Sequence, residues 1–338
     1  MGFLNGLAAA EAIASGLALP LAGGPGAFTL ARLIAPGMAP VMVPVTAIPT
    51  DWQAEIRRLT TVPPAWAGLP VGKPVIMGVL NVTPDSFSNS DEHFDAATAI
   101  NAGHAMVEAG AAILDIGGES TRPRALPIAA EEEQRRILPV IRALAGAGHC
   151  VSVDTRNAST MAAALDAGAR IVNDVSALTH DPASAPLVAR RACPVVLMHM
   201  RGTPAEMQDH AQYDDPAPEI ARELLARVVA ARAAGIAAES IAIDPGIGFA
   251  KLTLHNLAVL RRLALFANLG QRIVLGVSRK AFIGQIGQEP SPERRLPGSL
   301  AAGLFGCARG AHILRTHDVA HTMQALRIWH ALQSDDVE

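Results

Sequence analysis

The sequence predicts a closed (β/α)8 barrel preceded by an N-terminal extension, and three observations predict it. After residue 74, short apolar runs rich in β-branched residues recur, as buried parallel strands do. Each run ends in polar residues, so the chemistry gathers at one end of every strand. Ala-rich amphipathic stretches separate the runs, which is the pattern of right-handed crossovers onto a parallel sheet. Eight runs within roughly 250 residues suit a closed barrel. A doubly wound open sheet is the alternative, but it normally carries a Gly-rich turn after its first strand, and this chain has no GxGxxG or GxxxxGK[ST] motif.

In chain order, residues 1–70 form a separate compositional zone. Ala8 to Leu17 reads as a helix, Val41 to Ala47 as a short edge strand because it contains Pro44, and Asp51 to Leu59 as a second helix. No chemistry is legible there, and a packing extension or an interface is the default reading. The stretch from Met1 to Pro36 lacks a basic start and is interrupted at Pro20 and Gly23-Gly24-Pro25, so neither a signal peptide nor a membrane span is expected. Residues 71–338 hold the barrel. Its strands are expected at Val75–Val82, Ala112–Gly117, Val151–Asp154, Arg170–Asp174, Val195–Met198, Ile241–Pro245, Ile273–Val277 and Ile313–Arg315. Helical patterns lie between them at Ala96–Ala109, Glu131–Ala145, Ala158–Ala167, Pro218–Ala234, Leu254–Phe266 and Leu300–Arg309.

Composition narrows the function. A net charge of −3 over 338 residues gives no basic field for nucleic acid and no polybasic membrane anchor. The three cysteines are widely spaced without a CxxC motif, which points to a reducing, cytoplasmic setting and to cysteines that pack in the core.

Strand tips of a barrel converge on one face. Here they deliver Asn81, Asp115, Asp154, Asn173, His199, Asp244, Ser278 with Lys280, and Arg315 with His317. Asp154, Asn173, Asp244 and Lys280 offer acceptors, an amide and a cation, a set that suits a flat heterocycle with N–H donors and ring acceptors. A carboxylate facing an N–C–NH2 edge makes paired hydrogen bonds, as it does with guanidinium. Asn81, Thr121, Arg122, Arg315 and His317 form a second group suited to a phosphate or diphosphate leaving group, with Asn81 able to give one oxygen to a Mg2+ that keeps most of its waters. Asp115 has two readings, a brace for the Gly117-Gly118 turn or a ligand contact. His199, between Met198 and Met200, reads as a packed, hydrogen-bonded histidine, and the histidines show no metal-ligand spacing.

These residues lie in motifs that resemble dihydropteroate synthase. Asn81-Val-Thr-Pro-Asp-Ser-Phe87, Asp115-Ile-Gly-Gly-Glu-Ser-Thr-Arg-Pro123, Ser152-Val-Asp-Thr155 and Ile171-Val-Asn-Asp174 come in the family's order. Leu197-Met-His-Met200, Asp244-Pro-Gly-Ile-Gly-Phe249, Gly276-Val-Ser-Arg-Lys280 and Arg315-Thr-His-Asp-Val319 complete it. The resemblance spans about residues 74 to 332. It implies a (β/α)8 barrel that joins p-aminobenzoate to 7,8-dihydropterin-6-ylmethyl diphosphate, the sulfonamide-targeted step of folate synthesis, and a homodimer formed through the late helices.

It further implies that the pterin meets Asp154, Asn173, Asp244 and Lys280, with Met198 and Phe249 packing nearby, Arg315 covering the ring and Asp115 beneath. Asn81, Arg122, Arg315 and His317 would meet the diphosphate, with Mg2+ at Asn81, and Ser278 the aminobenzoate carboxylate. Two loop positions depart from the family pattern: Asn89 stands where a loop Asp is usual, and Arg124 where a Gly is usual. They keep open a pterin-binding paralogue with weak or no synthase activity. A pterin-dependent methyltransferase domain of the same barrel, working with a corrinoid partner, is disfavoured by Gly276–Lys280 and Arg315–His317.

Overall fold

The computed structural model describes residues 3–21, 26–35, 37–70, 72–83, 96–120 and 125–333. Its centre is a closed barrel of eight parallel strands. They are β1 (Val75–Asn81), β2 (Ile113–Gly117), β3 (Val151–Asp154), β4 (Ile171–Asp174), β5 (Val195–Met198), β6 (Ile241–Asp244), β7 (Arg272–Gly276) and β8 (Ile313–Thr316). Each strand pairs with the next, and β8 returns to β1 with Ile313 opposite Val75 and Thr316 opposite Gly78. The open sheet is thereby ruled out. The strand ends fall within a residue or two of the apolar runs that predict them.

Around the barrel lie α1 (Ala96–Glu108), α2 (Ala130–Gly146), α3 (Ala158–Asp166), α4 (Ser184–Arg191), α5 (Pro216–Ala233), α6 (Thr253–Arg261), α7 (Ala281–Ile286), α8 (Leu296–Cys307) and α9 (Val319–Ala331). The helical pattern Leu254–Phe266 divides: α6 stops at Arg261, and a 3-10 segment covers Leu263–Leu269. None of the described helices is long and apolar enough to cross a membrane.

Because side chains alternate along a strand, each strand feeds two cores. Ile76, Leu114, Val153, Val172, Leu197, Ile243, Leu275 and Leu314 point outward and pack with the helices. Val75, Met77, Ile113, Ile171, Val196, Ala242, Val274 and Ile313 fill the inside. Trp66 and Leu69 join that inner cluster and plug the N-terminal end of the barrel. Three hydrogen bonds hold the plug. Trp66 Nε1 donates to the Ser240 carbonyl at 2.8 Å, and Arg272 donates to the carbonyls of Pro64 at 3.0 Å and Pro70 at 3.2 Å.

Before the plug, helices at Gly6–Ala14 and Gln53–Thr60 accompany an antiparallel pair, Leu30–Leu33 with Val41–Pro44. A small sheet joins Phe3–Asn5, Gly26–Phe28 and Leu19–Pro20. Leu21, Phe28 and Leu59 pack into the outer core, so this segment is fastened to the barrel's helices.

Candidate active site

The inward parity that fills the barrel with apolar groups continues to the strand tips. Two residues beyond each inner apolar position the side chain faces the barrel mouth, and there the sequence places Asp115, Asn173, Met198, Asp244 and Arg315. Asp154 sits level with Asn173 on the neighbouring strand. Gly117 and Gly276 occupy the same layer without side chains. A Cβ built on Gly276 would lie 3.8 Å from Asp244 Oδ2, so its absence leaves open space over that carboxylate.

The floor is an ionic cluster. Arg315 Nε donates to Asp115 Oδ2 at 2.6 Å, and a terminal Arg315 nitrogen donates to Asp154 Oδ2 at 2.6 Å. Asn173 Nδ2 donates to the same Asp115 oxygen at 2.9 Å, while Asp115 Oδ1 is buried without a hydrogen-bond partner among the described residues. Asp115 is fully buried, so it acts as the anchor on which Asn173 and Arg315 are set. Burial pushes the Asp154 carboxyl upward, and the adjacent Asp115 charge adds to this against the pull of Arg315. Burial likewise raises the Asp244 carboxyl.

Across the mouth, Asp244 Oδ1 accepts the Gly246 N–H at 2.7 Å, which folds the following turn back over the strand tip. Phe249, at the end of that turn, lies under the Lys280 ammonium, with Nζ 4.2 Å from the ring centroid. Burial and the nearby Arg315 charge lower Lys280 to about 8, opposed by Asp244 and Asp154. Next to it, Ser278 Oγ accepts the His317 backbone N–H at 3.2 Å and lies 3.0 Å from His317 Nδ1. A hydroxyl oxygen has two lone pairs, so either the Ser278 O–H or the Nδ1–H of a neutral ring donates in this contact, according to the tautomer. Burial, with Arg315 and Arg279 nearby, holds His317 down at about 3, in keeping with that neutral form.

Residues 77–317 match the family described as "Pterin binding enzyme". The dihydropteroate synthase of Neisseria meningitidis serogroup B is 46% identical over 266 residues, which is 77% of this chain and 93% of that protein. The chain belongs to the dihydropteroate synthase family. Among solved structures, a Xanthomonas albilineans dihydropteroate synthase with 4-aminobenzoic acid superposes with a TM-score of 0.73 at 45% identity, covering 77% of this chain and 93% of that one. The same organism's enzyme in complex with 7,8-dihydropteroate gives a TM-score of 0.71 at 42% identity, covering 77% and 94%.

In this dihydropteroate synthase fold, the residues singled out from sequence fall into two groups. Asp115, Asp154, Asn173, Met198, Asp244, Phe249, Ser278, Lys280, Arg315 and His317 are brought together at the barrel mouth. Asn81 ends β1 at the same face, opposite Gly117. Thr121 and Arg122, together with Asn89 and Arg124, lie outside the described residues. Asn81 could give one amide oxygen to Mg2+, and no group of three His, Cys, Asp or Glu side chains that could hold a metal occurs among the described residues. Such a donor set fits an ion that arrives on a diphosphate and keeps its waters.

Three contacts near the site escape sequence reasoning. Arg279, with a left-handed φ of 60°, sends its guanidinium to Asp318 at 3.0 and 2.6 Å, tying the loop after β7 to the loop after β8. Arg156 and Glu119 pair through two bonds at 3.1 and 3.0 Å beside a cavity of about 250 Å³. Lys251 is buried behind the Asp244 turn, with His199 beside it. Arg279 and Lys251 stand inside or next to recognisable motifs, so position was a signal; their partners were not.

Proposed function

We propose that this chain condenses p-aminobenzoate with 7,8-dihydropterin-6-ylmethyl diphosphate to give 7,8-dihydropteroate and diphosphate. The observation that carries the reading is the single cluster of Asp154, Asn173, Asp244 and Lys280 on the floor of the barrel mouth. The Xanthomonas albilineans relatives with 4-aminobenzoic acid and with 7,8-dihydropteroate support it from both the substrate and the product side.

The residues divide the work. Asp154 and Asp244 accept hydrogen bonds from the pterin's amino and ring N–H groups, Asn173 presents its amide, and Lys280 donates to a ring acceptor. Met198 and Phe249 supply apolar contact. For the pterin to reach Asp154, the Arg315 side chain leaves that carboxylate and covers the ring, with the diphosphate in its reach. A neutral His317 with its proton on Nε2 would meet the diphosphate as a hydrogen-bond donor, alongside Arg122 and Thr121. Asn81 would hold Mg2+, which when bound would supply further positive charge to the leaving group.

Loss of diphosphate breaks the C–O bond and leaves a cation delocalised into the pterin. Donors on the departing anion and carboxylates under the ring stabilise the two separating charges. The arylamine attacks with its own lone pair, and the acidic anilinium proton it then sheds passes to the released diphosphate or to water, so no strong base is required. Ser278, tied to His317, lies where an aminobenzoate carboxylate would arrive. On this reading the enzyme is a cytoplasmic homodimer, with exposed Phe305 on α8 and Ile328 on α9 as candidate contact residues, and sulfonamides compete with p-aminobenzoate.

The deciding experiment follows dihydropteroate formation from the two substrates with Mg2+. Turnover at an ordinary enzymatic rate of about 1 s⁻¹ or more supports the synthase. Tight pterin binding without product favours a non-catalytic paralogue instead. In that case Asn89→Asp with Arg124→Gly should restore turnover.

A further inference from the structure

Behind the pterin floor lies an ammonium group to which the proposed reaction gives no part. Lys251 is 3% exposed, and its side chain turns back beneath the loop that follows β6. Its Nζ donates to the Phe249 carbonyl at 2.9 Å and sits 3.0 Å from His199 Nδ1. His199 Nε2 is 2.9 Å from Glu223 Oε2, and Arg201 binds the same carboxylate. Glu223 can only accept, so Nε2 carries the ring proton and Nδ1 keeps the lone pair that receives the ammonium. The four groups form one chain, Lys251–His199–Glu223–Arg201.

That chain is clamped to the pterin loop at three points. The His199 backbone N–H donates to the Asp244 carbonyl at 2.9 Å. Gly246 lies directly against His199: a Cβ there would stand 2.0 Å from the His199 carbonyl oxygen and 3.4 Å from Lys251 Nζ. Only glycine fits that approach, and its φ of +68° suits the turn. The third point is the Phe249 carbonyl itself. Asp244 and Phe249, the two ends of the loop, are thus referenced to the same buried pair, and Phe249 in turn carries the Lys280 ammonium on its ring.

An apolar side chain of similar length would fill this space without the cost of burying an ammonium. Burial draws Lys251 down to about 7, against the opposing charges of Asp244 and Glu223. What the amine adds over a packing residue is directional bonding to Phe249 and His199.

We propose that Lys251 is a positioning residue for pterin recognition: by bridging the Phe249 carbonyl and His199 Nδ1, it sets the spacing between Asp244 and the Phe249–Lys280 pair. The inference rests on the pterin reading of this site. It acts on substrate affinity and leaves the chemical step alone.

The test measures binding of the pterin diphosphate by calorimetry, with turnover beside it, in Lys251→Met and Glu223→Gln. Lys251→Met is expected to weaken pterin binding about tenfold or more, with kcat at saturation and the KM for p-aminobenzoate changed by less than about threefold, the signature of lost uniform binding. Glu223, whose side chain is 40% exposed, can be replaced without threatening the fold, and Glu223→Gln should weaken pterin binding in the same direction by about threefold. Unchanged pterin affinity in both variants, with only a lowered Tm, overturns the proposal and makes Lys251 a packing residue. Equal losses in kcat and in both KM values overturn it as well. Should the unmodified enzyme bind the pterin but form no dihydropteroate, the synthase reading fails while calorimetry still decides the role of Lys251.

Discussion

With Nε on Asp115 and a terminal nitrogen on Asp154, the Arg315 guanidinium offers those carboxylates the same planar array of N–H donors that a 2-aminopyrimidinone edge would bring. Asp115 and Asp154 are thus bridged by a group from the chain itself, with which a pterin edge would compete. Two expectations follow from this residue and its neighbour across the mouth. Arg315→Met leaves Asp115 buried without its cation, which should cost about 3–5 kcal/mol of stability by urea unfolding. Arg315→Met combined with Asp115→Asn should recover part of that loss, since Asp115 then carries no charge while Asp154 still lacks its cation. Lys280, lowered to about 8, gives the second. It is charged below that pH and neutral above it, so the part of pterin affinity that Lys280 supplies should be lost as the pH rises through about 8. Lys280→Ala should lose the step altogether and bind the pterin roughly 10- to 100-fold more weakly, the worth of a hydrogen bond to a charged group. His317 contributes no inflection near neutrality, because its ring is already uncharged.

Among the elements, the loops after β7 and β8 act as one unit through the Arg279–Asp318 pair, with the Arg279 N–H held by Ser299 Oγ at 2.9 Å. Cutting it with Asp318→Asn should loosen Ser278, Lys280 and His317 together. We expect kcat/KM to fall about tenfold, or near 1.4 kcal/mol of transition-state stabilisation, with a smaller change in Tm. The same scale shows what a reader of the sequence can and cannot reach. Strand positions were legible because an apolar run bounded by polar residues has few other meanings, and the period of two then fixes which residues face the mouth. Asp115, Asn173, Asp244 and Arg315 could be found that way with no knowledge of distances. The break between α6 and the Leu263–Leu269 segment was not legible, since no Gly or Pro marks Arg262 and the apolar spacing runs on. Lys251 was passed over for a different reason. A lysine after Phe249-Ala250 looks solvated, and only its depth and its contact with His199, remote in sequence, give it meaning.

For the whole molecule, the barrel's two ends are built from different materials. The mouth is polar and loop-covered, while the opposite end is closed by Trp66 and Leu69, and removing that stopper opens a cavity in the inner core. Trp66→Ala should therefore cost about 3–5 kcal/mol, seen as a lowered Tm, with pterin affinity little changed because the floor lies at the far end of the strands. The stopper has a further consequence, measured in time. Trp66 leaves the ribosome well before its hydrogen-bond partner Ser240, which lies 174 residues later in the chain. At about 5–20 residues per second, that interval is roughly 9 to 35 s. Throughout it, a large indole has no barrel to enter, and the first strand has no eighth strand to close against. The nascent chain must carry an unburied apolar segment for most of its own synthesis, so the earliest element of the barrel is also among the last to be secured.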